Sequence, residues 1–281
     1  MASYITQAAK IYDKAIEKNA DPRVADWFLM QSPLPTLLVC IAYVVFVLLG
    51  PRIMEGRKPV EMRSVLLVYN LAMVGMSTFC FVEFLLSGWL AGYSLGCQPV
   101  DYSNTPQPLR MARVCWWFYF SKFIELLDTV FFILRKKFNQ VSFLHVFHHG
   151  IMPISWWFGV KFVPGGFGTF HSLLNSFIHL MMYTYYGLSA LGPKFSRFLW
   201  WKKYMTSMQI TQFILVTVHS AQLLFIECDY PILFVYWIGL YAVIFLVMFA
   251  HFYIKTYKKP SRPDHKNHIA NGVTSKKKKS S

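Results

Sequence analysis

Apolar residues in this chain run in long blocks separated by short polar intervals. Seven blocks approach or exceed the roughly 20 residues a helix needs to cross a bilayer. They cover 34–50, 64–86, 114–134, 142–160, 168–189, 206–226 and 232–254. Each is predicted to be a transmembrane helix, which makes the fold class an all-α membrane protein with seven spans. The block 142–160 fits the pattern least well, because three histidines and Pro153 interrupt it. Residues 1–33 are polar and mixed in charge (Lys10, Asp13, Lys14, Glu17, Lys18) and suit a short surface helix. No cleavable signal peptide is visible. The chain therefore divides into an N-terminal segment 1–33, a seven-span domain 34–254 and a basic tail 255–281.

Composition agrees with this reading. Of 281 residues, 55% are hydrophobic and only 15% charged, where a soluble domain carries about a quarter. The net charge of +15 is arranged by topology. Arg and Lys cluster in alternate loops: Arg52, Arg57, Lys58 and Arg63; Arg135, Lys136 and Lys137; Lys194, Arg197, Lys202 and Lys203; and the tail from Lys255 to Lys279. The positive-inside rule places these in the cytosol. Seven spans then put the N-terminus in the lumen and the C-terminus in the cytosol. Nucleic acid is a poor account of cations that alternate with spans. The ending Lys278-Lys279-Ser280-Ser281 resembles the dilysine signal that returns membrane proteins to the endoplasmic reticulum. Cys97 and Cys228 fall in two loops on the lumenal, oxidising side, so a disulfide between them is expected. Cys40, Cys80 and Cys115 lie in or at the edge of spans and read as packing residues.

Ionisable groups inside spans are costly and need a reason. His145, His148 and His149 share a helical face at i, i+3 and i+4. Lys122, Glu125 and Asp128 recur every three residues on span three, with Asn175 and His179 on span five and Gln209 and Gln212 on span six. At 1.5 Å per residue, Asp128 and His148 lie about 10 Å from the cytosolic face, His179 about 16 Å and the glutamines about 6–10 Å. Polar side chains from four spans thus meet in the cytosolic half of the membrane. Lys122 and Glu125 could instead neutralise each other, and the glutamines could bond across helices as glue. His171, His219 and His251 read as isolated, satisfied histidines.

Two chemistries fit such a cluster. A histidine box is shared with di-iron desaturases and hydroxylases, but those carry several boxes and this chain has one. A single catalytic zinc would need three protein ligands. Acyl transfer is the other candidate: neutral imidazole is a good nucleophile and base near neutral pH, and an acid such as Asp128 could orient it. No cysteine lies at the polar depth with a basic partner.

The runs Lys122–Thr129, His145–His149, Asn175–Tyr186 and Thr206–Gln212 closely resemble, in order and spacing, the animal very-long-chain fatty acid elongases (the ELOVL family). The resemblance extends from Ala20 to Tyr257. It implies seven helices, of which two to seven enclose a narrow acyl-chain tunnel, with no bound cofactor and no metal. It implies condensation of acyl-CoA with malonyl-CoA to a 3-ketoacyl-CoA two carbons longer, with release of CO2 and CoA, in the endoplasmic reticulum membrane. The expected partners are acyl-CoA, malonyl-CoA, membrane lipid, the other enzymes of the elongation cycle and further copies of the chain as a homo-oligomer. Catalytic roles are expected for His148 as nucleophile and for His145, His149, Asp128 and His179. Asp128 would position a histidine, and His179 with Asn175 would stabilise an enolate or hold the malonyl group. Lys122, Tyr183, Thr206, Gln209 and Gln212 would complete the polar wall. Arg135, Lys137, Gln140, Tyr185, Lys202, Lys203 and Arg262 are expected at the phosphate-binding rim.

Overall fold

A computed structural model describes residues 18–258. Among them there is no strand, and seven helices of 20 to 29 residues carry the chain. These are α1 Leu34–Ile53, α2 Arg63–Phe84, α3 Pro106–Leu134, α4 Phe143–Phe162, α5 Thr169–Ala190, α6 Lys202–Gln222 and α7 Ile232–Tyr253. Three of them, α1, α2 and α7, are long enough and carry a stretch apolar enough to cross a membrane by length and composition. The other four mix apolar and polar positions because they carry the polar residues of the candidate site.

Helix ends follow hydrogen bonding rather than hydropathy, and this moves several expected boundaries. α3 begins at Pro106, well before residue 114, because proline at its first positions needs no intrahelical donor. Its added turns carry Arg110, whose guanidinium grips Glu83 on α2 at 2.6 and 2.8 Å. α4 starts on a cap: the Ser142 hydroxyl accepts from the His145 N–H. It then continues through Pro153 to Phe162. α6 begins at Lys202 and ends at Gln222, short of residue 226. The turn into α5 uses Gly166 at φ 65°, where a Cβ would also strike the Gln98 carbonyl at 2.8 Å.

The helices close on themselves. α2 packs on α5, α5 on α6, α6 on α7, α7 on α4, α4 on α3, and α3 back on α2. α1 stands outside this ring of six against α3 and α4. Outward positions are apolar: Leu48 on α1, Val68 and Leu71 on α2, Val218 on α6, Leu233 and Val247 on α7 are all exposed. An apolar exterior around a ring with polar interior positions is the arrangement a lipid surrounding selects.

The two ends of the ring differ. At one end the α1–α2 loop meets the end of α3 through Val60 N–H to Leu134 O at 3.0 Å. Arg63 donates to the Leu191 carbonyl beyond α5, and Lys203 lies over the Tyr253 ring at 5.9 Å. This end collects the loop cations from Arg52 to Lys203. The opposite end is closed by the N-terminal segment and by Cys97–Cys228, whose sulfurs are bonded. Of the surface helix expected in residues 1–33, the described part keeps only Lys18 and Asn19, which are helical and exposed; beyond them the segment is docked. Val24 and Met30 are fully buried, Arg23 donates to Ser103 O, and Trp157 and Trp116 donate to the Leu29 and Phe28 carbonyls. The largely apolar run Val24–Met30 docks it: Val24 and Met30 enter the core, and Trp27 and Leu29 pack against it. Residues 1–17 and the tail from 259, with Arg262 and the terminal lysines, lie outside the described residues.

The disulfide joins cysteines 131 residues apart. Cross-links over loops of that order restrict the unfolded chain by about 5 kcal/mol from loop closure alone, and typically contribute about 2–4 kcal/mol. Cys97→Ser is expected to lower the thermal midpoint in detergent, and added reductant should lower the wild-type midpoint to match. Equal midpoints with and without reductant would contradict this.

Candidate active site

Three helices bring the polar residues together. On α4 the rings of His145 and His149 have centroids 4.3 Å apart, and those of His148 and His149 5.1 Å apart. The helical spacing read from sequence therefore does gather the three imidazoles. Their surroundings differ. His145 Nε2 meets the Thr129 hydroxyl at 2.8 Å, which in turn meets Tyr43 OH of α1 at 2.9 Å. His149 is buried, and its Nδ1 has no hydrogen-bond partner among the described residues. His148 packs against Phe245 of α7 at 5.2 Å and faces a cavity.

That cavity opens between the helices beside the histidine box. Its walls come from α3, α4, α5, α6 and α7, so it lies inside the ring. His148, Lys122 and Asn175 line it together. Beyond them the walls are largely apolar: Met152, Trp156, Val163, Phe213, Phe234, Trp237 and Ile238. A polar cluster beside an apolar chamber suits a ligand with a reactive head and a hydrocarbon tail.

Lys122 is held firmly. Its Nζ donates to Glu125 Oε1 at 2.7 Å and to Asn175 Oδ1 at 3.3 Å, and lies 4.1 Å from the centre of the Phe118 ring. Glu125 Oε1 also lies 3.2 Å from His179 Nδ1 and accepts from Ser121 Oγ at 3.2 Å. Both charges are almost wholly excluded from solvent, at 2% exposure for Lys122 and 1% for Glu125. Burial of an ion is tolerated only with such pairing.

Asp128 differs from its expected partnership. It accepts from Tyr183 OH at 2.7 Å rather than from a histidine. The carboxylate that touches a histidine is Glu125. The sequence leaves Glu125 either as a member of the Lys122, Glu125, Asp128 series in the site or as a counter-ion to Lys122, and the structure gives it both contacts. His171 is not the isolated histidine expected. The ring lines the cavity and stacks on Trp156, centroids 5.8 Å apart. Its signal was present: His171, Asn175 and His179 follow one face of α5 at intervals of four. His219 stands apart from the cluster, stacked between Phe167 and Phe170, but it is not fully satisfied: its buried Nε2 has no hydrogen-bond partner among the described residues.

The remaining residues are less tightly joined. Thr206 and Gln212 are buried on α6, and Gln212 Nε2 has no partner among the described residues. Gln209 is half-buried, and no hydrogen bond links either glutamine to the histidines among the described residues. Arg135 lies where α3 ends, with Lys137 and Gln140 in the loop to α4, and Lys202 and Lys203 open α6. All belong to the basic end of the ring. Tyr185 packs on Trp201 at that end, 5.1 Å between centroids. No group of three or more His, Cys, Asp or Glu side chains converges in metal-binding geometry among the described residues.

Known proteins share this chain's plan. The family model described as ELO: GNS1/SUR4 family matches residues 28–265. A very long chain fatty acid elongase of Aedes aegypti is 57% identical over 88% of this chain and 70% of its own length. Very long chain fatty acid elongase 7 of Rattus norvegicus is 53% identical over 92% of both chains. Very long chain fatty acid elongase 1 of Homo sapiens is 52% identical over 88% of this chain and 90% of its own. A family match across all seven helices, with relatives at half identity or better over nearly the same span, means that this chain belongs to the ELO (GNS1/SUR4) family.

Proposed function

We propose that this protein catalyses the condensing step of fatty acid elongation. A long- or very-long-chain acyl-CoA and malonyl-CoA give a 3-ketoacyl-CoA two carbons longer, CO2 and CoA. The observation that carries this reading is the position of His148. It is the one imidazole of the box that lines the cavity, where the polar cluster gives way to an apolar chamber. The relatives' names, all very long chain fatty acid elongases, support the substrate class.

In this reading all seven helices span the endoplasmic reticulum membrane. α6 fits despite its polar content, since Ile214, Leu215 and Val218 face outward while Thr206 and Gln212 face in. The basic end faces the cytosol, with the C-terminus, and the disulfide end faces the lumen, with the N-terminus. The acyl chain occupies the cavity as a tunnel. The CoA phosphates rest on Arg135, Lys137, Lys202 and Lys203, whose cations suit phosphate oxygens.

The chemistry proceeds in two halves. A neutral ring nitrogen of His148 attacks the thioester carbon, the C–S bond breaks, and CoA leaves with the ring proton, giving an acyl-imidazole. Malonyl-CoA then loses CO2, and the electron pair of the broken C–C bond becomes an enolate. The enolate attacks the acyl carbon, the C–N bond to His148 breaks, and the imidazole takes a proton that solvent supplies, which balances the one that left with CoA. Glu125 holds His179 by Nδ1, which leaves Nε2 to face the enolate oxygen. Lys122 and Asn175, tied to each other, hold the malonyl group by charge and hydrogen bonding. His145 is fixed by Thr129, and His149 has a ring nitrogen free for proton transfer. Asp128 and Tyr183 brace α3 against α5.

The purified protein, given malonyl-CoA and a panel of acyl-CoAs, is expected to form 3-ketoacyl-CoA with equal release of CO2. Exhaustive chelation should leave the rate unchanged. Turnover that needs iron and oxygen and leaves chain length unaltered would instead identify a membrane desaturase or hydroxylase.

A further inference from the structure

The chamber beyond His148 is not uniformly apolar. About 10 Å further along α4, at 1.5 Å per residue, Ser155 enters the cavity wall, followed by Trp156. Tyr241 of α7 meets Ser155, 3.0 Å between hydroxyl oxygens. Ser155 already donates its single proton to the Ile151 carbonyl at 2.9 Å. Tyr241 must therefore be the donor in the pair, and its oxygen keeps an unused lone pair. His171 of α5 lines the same cavity, stacked on Trp156. Neither of its ring nitrogens has a hydrogen-bond partner among the described residues. A neutral imidazole offers one donor and one acceptor, and leaving both unmade inside an apolar wall costs free energy. Thr169, by contrast, lines the cavity with its hydroxyl already given to Gly166 O.

The unmet capacity at this level is thus one N–H donor, at His171, and acceptor sites at His171, Tyr241 and Ser155. A hydroxyl group, which both donates and accepts, matches that set. A plain methylene matches none of it. We propose that Ser155, Tyr241 and His171 form a polar belt that accepts acyl chains bearing a mid-chain hydroxyl, so that hydroxyacyl-CoAs are a substrate class of this protein. An extended alkyl chain with C–C bonds of about 1.5 Å advances about 1.25 Å per carbon, so the belt lies near carbons 8 to 10 of the bound chain. The inference rests on the condensing reading above, with His148 marking the thioester end.

The test compares elongation of an unsubstituted acyl-CoA with acyl-CoAs of the same length carrying a hydroxyl near the thioester, at mid-chain or at the far end. The wild type is expected to elongate the mid-chain hydroxyacyl-CoA about as well as the unsubstituted one and to disfavour the other two. His171→Phe keeps the stack on Trp156 and removes both polar atoms, and Tyr241→Phe removes one acceptor. Each should lower the ratio of kcat/KM for mid-chain hydroxyl over unsubstituted chain by about tenfold, the worth of one such hydrogen bond. A wild type that disfavours the mid-chain hydroxyl as strongly as the others would overturn the proposal, as would an unchanged ratio in both variants. Failure to elongate the unsubstituted chain would overturn the condensing reading instead. Thermal shifts by the same acyl-CoAs, read in wild type and variants, would then still test the belt.

Discussion

His148→Ala is expected to reduce elongation by at least about a thousandfold, the scale seen when a covalent nucleophile is removed. The protein itself should remain folded. His148 is not among the buried polar residues of the core, and its closest ring contacts are His149 and Phe245. Alanine there enlarges the cavity without stranding a charge. His145→Ala should behave differently, because it unties the Thr129–Tyr43 chain that joins α3 and α4 to α1. Its loss should be partial and should come with a lower thermal midpoint. The measurement is product formation together with thermal unfolding in detergent for both variants. If His148→Ala retained wild-type elongation while staying folded, the nucleophile would have to lie elsewhere.

The second large effect concerns stability. Lys122 and Glu125 form an ion pair with both side chains at 2% exposure. Removing one partner of such a pair leaves a stranded charge and costs about 3–5 kcal/mol. Glu125→Ala is therefore expected to yield little folded protein. The double variant Lys122→Met with Glu125→Leu removes both charges and should recover much of the stability, because the desolvation cost disappears with them. Activity should not return. His179 Nδ1 would have lost its acceptor, and Asn175 its tie to Lys122. Thermal midpoints of the single and double variants, beside elongation rates, separate the two roles. A stable, active Glu125→Ala would show that neither holds.

How much of this was visible in the chain follows from the range over which each feature is determined. The seven helices were legible because their apolar blocks are local, and the histidine box because i, i+3 and i+4 positions meet on any helix. Boundaries were not, since hydropathy does not report caps such as Ser142 or first-turn prolines such as Pro106. The Cys97–Cys228 pairing was legible from loop alternation alone, and the two sulfurs are at bonding distance. Partner choice among the carboxylates was beyond reach. Glu125 and Asp128 are one turn apart on α3, and only the packing of α5 decides that His179 meets the first and Tyr183 the second. The ring order, with α7 closing against α4, has no local signature either. His171 was misread because one histidine with no nearby histidine looks incidental until the cavity is in view.

The covalent role proposed for His148 is tested most directly by omitting the second substrate. Purified protein incubated with acyl-CoA alone is expected to release free CoA in an amount matching the protein. Mass spectrometry should find one acyl group added to the peptide carrying His148, and malonyl-CoA should then discharge it as 3-ketoacyl-CoA. Release of CoA only when malonyl-CoA is present, with no acylated peptide, would contradict the account and mean that the two substrates react directly.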